Sequence, residues 1–179
     1  VIHSRWPLEN VPARDPDVSV CARVATPIGP WLVYGTVLPY HADGVVTRGE
    51  RTWTEFHRVL PLERAAWARL RAEFPNEGFC LAGDLNQSLD GRRWQGREWY
   101  GTRATRAALG SALADCGLTC VTAHDLVASG HLTTRSSIDR ICLDQALAGV
   151  VRAVGAWEAG EADGVRLSDH NGVWADLAG

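Results

Sequence analysis

Residues 18–25 and 31–38 are two runs rich in β-forming side chains, and the turn-forming stretch Thr26-Pro27-Ile28-Gly29-Pro30 lies between them. Together they predict a hairpin. Residues 2–8 read as the end of a strand already under way, and polar positions dominate 41–51. From 52 to 74 the apolar spacing turns helical: Trp53, Phe56 and Leu60 mark one face, and Leu62, Ala66, Leu70 and Phe74 mark another. Pro61 falls between the two sets and predicts a break into two short helices. Residues 79–82 are continuously apolar, as in a strand covered on both faces. A Gly-, Arg- and Trp-rich loop follows over 90–100. Thr102 caps a helix that runs to about Cys116 and stops at Gly117. Strands are predicted over 118–122, 138–143, 151–157 and 172–177. Strands interleaved with helices, and hairpins among them, give an α/β fold with a mixed sheet.

Four polar motifs sit where these apolar runs end. They are Thr36-Val37-Leu38-Pro39-Tyr40-His41, Gly83-Asp84-Leu85-Asn86, Ser137-Ile138-Asp139-Arg140-Ile141 and Ser168-Asp169-His170. Residues two apart in a strand share a side. If extended geometry persists past Gly83, Asp84 and Asn86 aim into one cleft, where the acid can deprotonate water and the amide can bind a phosphoryl oxygen. An Asx turn accounts for the same pair equally well. Asp139 lies inside an apolar strand pattern and needs a partner; His170 is one candidate and Arg140 another. Asp169 can ligate Mg²⁺ and His170 can donate to phosphate, although a polar turn before a strand would carry the same residues. Tyr40 or His41 can reach a phosphate from the Pro39-stiffened strand exit. Arg92, Arg93, Trp94, Arg97, Trp99 and Tyr100 interleave cations with aromatics, a pattern that suits nucleic acid as well as a solvated, Trp-anchored loop.

Bulk properties narrow this picture only slightly. A chain of 179 residues with 46% hydrophobic composition supports one core and one domain. A net charge of −3 gives no whole-chain footprint for non-specific DNA binding, although all 18 basic residues are arginine. The five cysteines are odd in number and lie mostly in apolar stretches, which points to free thiols in a reducing, cytoplasmic setting and away from a zinc site. No apolar run approaches the roughly 20 residues of a membrane span.

The order of the motifs carries a resemblance. A strand ending in Leu-Pro, then Gly-Asp-x-Asn, then Ile-Asp-x-Ile, then Ser-Asp-His resembles the endonuclease/exonuclease/phosphatase superfamily, the deoxyribonuclease I-like and exonuclease III-like fold. Ser4-Arg5-Trp6-Pro7-Leu8 is similar to that family's Ser-Arg-x-Pro-Leu segment. The resemblance implies a four-layer α/β sandwich, two mixed sheets with helices outside, and an active site at one end of the sheets. It implies that Asp84 activates water beside Asn86, that His170 binds phosphate and is paired with Asp139, and that Asp169 is linked to Mg²⁺ (Mn²⁺ as a substitute). The family's first-strand Asn and its metal-binding Glu have no counterpart here, so the chain is expected to be the C-terminal portion of a family member and weakly active alone. Val37 stands where members often carry His, or Tyr followed by Asn. The expected activity is Mg²⁺-dependent phosphoesterase, with nucleic acid, phosphoinositide and phospholipid head groups all open as substrates; a catalytically inactive binding or scaffold domain of the same fold is the alternative.

Overall fold

The computed structural model describes residues 1–91, 93–94, 97–98, 100–133, 135–162, 165–166 and 168–178, with backbone alone for 93–94, 97–98, 161–162 and 165–166. Its centre is a six-stranded mixed sheet, ordered β1 (Leu8–Val11), β2 (Ser19–Thr26), β3 (Gly29–Val37), β4 (Gly78–Asp84), β8 (Asp139–Asp144), β7 (Leu118–Cys120). The predicted hairpin forms as β2 and β3, with Thr26 opposite Gly29. Strand β4 runs parallel to β3, and β8 runs antiparallel to both β4 and β7. A second, antiparallel sheet pairs β9 (Val151–Trp157) with β12 (Gly172–Leu177). It packs on β8, over a small core of Leu126, Leu132 and Ala156. Two ribbons complete the strand set: β5 (Arg93–Trp94) with β6 (Arg97–Glu98), and β10 (Glu161–Ala162) with β11 (Val165–Arg166). The first ribbon stands where a plain loop was expected over 90–100. Residues 1–7 hold no strand; the first one begins at Leu8.

Helix α2 (Thr54–Glu73) corrects another expectation. It runs unbroken through Pro61. That proline lies on the exposed side, where water can bond the His57 carbonyl that loses its helical donor. Because the helix is continuous, its buried residues form one stripe: Phe56, Leu60, Glu63, Ala66, Trp67 and Leu70. Leu62, assigned to a second face by spacing, is 52% exposed. The stripe packs with α3 (Arg103–Asp115) on Leu32, Tyr34, Leu81 and Cys142 of the main sheet. Glu63 is fully buried in that interface, and it accepts from Tyr34 Oη at 2.8 Å and Arg14 Nε at 2.8 Å. Thr102 caps α3 through a reciprocal bond with Thr105, and Gly117 ends it at φ +61°. Two short helices, α1 (Val45–Arg48) and α4 (Gln145–Ala148), carry too few residues for a periodic signal.

Candidate active site

Strand register brings two of the motifs together. In the β4–β8 ladder Asp84 lies directly opposite Asp139, and in β3–β4 it lies beside Val37. Three strand ends therefore meet at one end of the sheet. Gly83 is required there: at φ +137° a Cβ would stand 2.1 Å from the Thr36 carbonyl oxygen. Strand exits remain tied beyond the ladder, since Leu38 N–H donates to the Asp84 carbonyl and Leu85 N–H to that of Ile138.

Extended geometry does not persist through this exit. Asn86 has φ +51° and is buried, and its N–H donates to Asp84 Oδ1 at 2.8 Å, closing an Asx turn. Its side-chain amide donates to the Leu38 carbonyl at 2.8 Å and to Asp84 Oδ2 at 3.0 Å. Both acceptors lack protons, so the amide orientation follows from chemistry, and its two donors are committed inside the protein. In this geometry Asn86 fixes the Asp84 carboxylate. Burial pushes the Asp84 acid up to about 6, and the Asp139 charge adds to it against the Asn86 bonds and His170.

His170 enters from the turn before β12. Its Nδ1 lies 2.8 Å from Asp139 Oδ2, and an ionised carboxylate only accepts, so Nδ1 carries the proton. Burial lowers the His170 pKa, but the hydrogen bond and charge of Asp139, with Asp84 and Asp169, outweigh it and leave a net rise. Ser137 Oγ accepts from the Asp139 N–H at 3.1 Å and donates to the Asn171 carbonyl at 3.2 Å. Sequence reading missed the positioning parts of Ser137 and Asn171; their adjacency to Asp139 and His170 was the available signal.

One ligand atom from each of Asp84, Asp139 and His170 lies within 4.8 Å of the others. All three line a cavity of about 780 Å³ that is also walled by Asn86, Tyr40, Tyr100 and Asp169. Arg14, Arg58 and Arg135 line it too, and no local sequence signal marked them. Asp169 is exposed and lies outside the three-residue group; its backbone carbonyl accepts from the Arg135 guanidinium. Tyr40 borders the cavity, whereas His41 braces Tyr100, with Nδ1 at 3.1 Å from its hydroxyl. The side chains of Arg92, Arg93, Trp94, Arg97 and Trp99 lie outside the described residues.

The donor set fits a divalent cation. Two carboxylates face each other across a ladder, where like charges repel and a cation relieves the repulsion. His170 takes the Oδ2 atom of the Asp139 carboxylate, and a cation can share the group through Oδ1. Two acidic oxygens completed by water suit a hard divalent cation.

No family model matches the sequence, and no curated protein does. Among solved structures the chain is similar to a 3′-5′ exonuclease from Neisseria meningitidis, with 17% identity and a TM-score of 0.61, covering 96% of this chain and 71% of that one. It is similar to a Neisseria 3′ phosphatase bound to product DNA hairpin, with 18% identity and a TM-score of 0.59, covering 98% and 73%. An AP endonuclease from Archaeoglobus fulgidus is similar at 15% identity and a TM-score of 0.63, covering 92% and 66%. A mixed six-stranded sheet, a second sheet packed on β8 and these neighbours agree. The chain has the deoxyribonuclease I-like α/β fold that these neighbours share.

Proposed function

We propose that the protein is a divalent-metal-dependent phosphoesterase whose preferred substrate is a nucleic-acid phosphodiester. The observation that carries this reading is the convergence of Asp84, Asp139 and His170 on one cavity. Asp84 and Asp139 would hold Mg²⁺ or Mn²⁺, which supplies positive charge to the scissile phosphate. Asp84 would orient the attacking water and take up its proton. Asn86 keeps that carboxylate aimed. His170, oriented by Asp139, donates to a non-bridging phosphoryl oxygen. Asp169 lines the same cavity and would hold water around the cation. Support for a nucleic-acid substrate comes from the DNA-directed names of the structural neighbours and from Tyr40 and Tyr100 on the cavity wall, where a base can stack.

The test is hydrolysis of bis(p-nitrophenyl) phosphate and of a DNA oligonucleotide, with Mg²⁺ and with EDTA, beside Asp84→Ala and His170→Ala. Equal rates in every arm reject the mechanism. Val37, exposed on the cavity wall where the family carries polar groups, favours the alternative of a non-catalytic binding module. Calorimetric titration with Mg²⁺ separates the two, because the binding-module reading expects no heat of metal binding.

A further inference from the structure

We propose that Cys120 and Cys142 form a redox site, which a peroxide converts into an intramolecular disulfide that pins edge strand β7 to β8. All five cysteines are free thiols in the structure. Only one pair meets across a ladder: Cys120 lies directly opposite Cys142. Just past the end of the ladder, the Val121 N–H donates to the Ile141 carbonyl at 2.9 Å, while the Ile141 N–H donates to Thr122 Oγ1 at 3.0 Å. Hydrogen-bonded and non-hydrogen-bonded pairs alternate in an antiparallel ladder, so the cysteines occupy a non-hydrogen-bonded position, with Cα atoms about 4.5 Å apart and side chains at their closest. A disulfide spans Cα separations of about 4.4–6.8 Å, so the bond forms without moving the backbone. Cys80 is excluded as the partner. It pairs with Leu143, one residue along β8, and its side chain emerges on the other face of the sheet.

The two thiols are unequal. Cys120 is half-buried on the edge strand, and Cys142 is completely buried. The neighbouring Cys142 thiol holds the Cys120 pKa down, against the upward pull of burial, and the Arg140 charge and Thr122 hydroxyl assist. Cys142 is correspondingly raised by its bond to Cys120 and by burial. Cys120 is therefore the nucleophile and Cys142 the resolving thiol. The Cys120 thiolate attacks one peroxide oxygen, the O–O bond breaks, and hydroxide leaves and takes up a proton. The resulting sulfenic acid is attacked by the Cys142 sulfur. The S–S bond forms, the S–O bond breaks, and the departing hydroxide takes the Cys142 proton as water. Two thiols are oxidised and one hydrogen peroxide is reduced to two waters.

The bond has a consequence for the cavity. β7 is three residues long and lies at the sheet edge, where local opening is easiest. Cys120 and Cys142 bracket the connection that carries Arg135, Ser136 and Ser137 to the cavity wall. Cross-linking them ties down both ends of that connection.

The experiment treats the reduced protein with hydrogen peroxide, then alkylates it in denaturant and maps peptides by mass spectrometry. The expected product is a Cys120–Cys142 cross-linked peptide that dithiothreitol reverses, with Cys21, Cys80 and Cys116 still alkylated. Cys120→Ser should leave every remaining thiol alkylatable; the wild-type map stands without that variant if it folds poorly. Hydrogen exchange across residues 121–138 should slow severalfold on oxidation. Full alkylation of all five thiols, a different pairing, or sulfinic acid at Cys120 without the link overturns the redox site. A link with unchanged exchange overturns the pinning of β7.

Discussion

Asp139 and Arg140 are neighbours in the chain, and strand alternation sends them to opposite faces of β8. On the cavity face Asp139 stays partly exposed, with its carboxylate on His170. On the helix face Arg140 is completely buried, donating from Nη1 to the Thr122 carbonyl at 2.8 Å and from Nε to the Gln87 carbonyl at 3.3 Å. Burial lowers the Arg140 pKa, with little upward return from Asp139 behind the sheet. An ion pair between these two residues, plausible from adjacency, is thus excluded by geometry. One face turns its charge to the cavity and the other uses it to satisfy buried carbonyls. A single residue step decides which.

The contrast can be broken most severely at the cavity. Asp84→Ala and His170→Ala should each lower phosphodiester hydrolysis about 10³-fold, while His170→Ala should change the stability read by urea denaturation by less than about 1 kcal/mol. Arg140→Ala should do the reverse: about 3 kcal/mol of lost stability from the cavity and two orphaned carbonyls, read by urea denaturation. An Arg140→Ala protein as stable as wild type would dissolve the distinction between the faces.

A smaller effect concerns pH. The folded Asp84 acid sits near 6, above the ordinary carboxylate value of 3.8, so the folded state holds that proton more tightly than the unfolded one. Its stabilising contribution is complete below pH 3.8 and is lost as pH rises to about 6. In EDTA the metal-free protein should lose about 2 kcal/mol across that window, and Asp84→Asn should flatten the slope. Added Mg²⁺ should restore about 2.7 kcal/mol at a hundredfold excess over its Kd in wild type but not in Asp84→Ala, read as a melting-temperature shift. The smallest change is at His170. Asp139→Asn removes the charge that raises its pKa, so the imidazole should titrate at lower pH by NMR; an unmoved titration would mean that the pair at 2.8 Å carries no electrostatic coupling.

Much of the fold was legible because strands that end in turn residues announce themselves by composition. The hairpin of β2 and β3, the apolar β4, the capped α3 and the paired β9 and β12 all fall near their expected places. Pro61 misled because breaking a helix depends on whether the freed carbonyl meets water, which is a property of the exposed face. Glu63 and Trp67 were missed because splitting α2 at Pro61 hid its single stripe. No transmembrane candidate exists among the described helices, none being long and apolar enough to cross a membrane.

Local chemistry alone placed acid, amide and imidazole at strand ends, since turn geometry and apolar periodicity act over a few neighbouring residues. Register decided the rest. It set Asp84 against Asp139 and Cys120 against Cys142, and the packing of the second sheet on β8 brought His170, in the turn before β12, onto Asp139. Pairing between distant strands depends on how a whole face packs, and a slip of one residue in β8 would turn Asp139 and Cys142 to the other side.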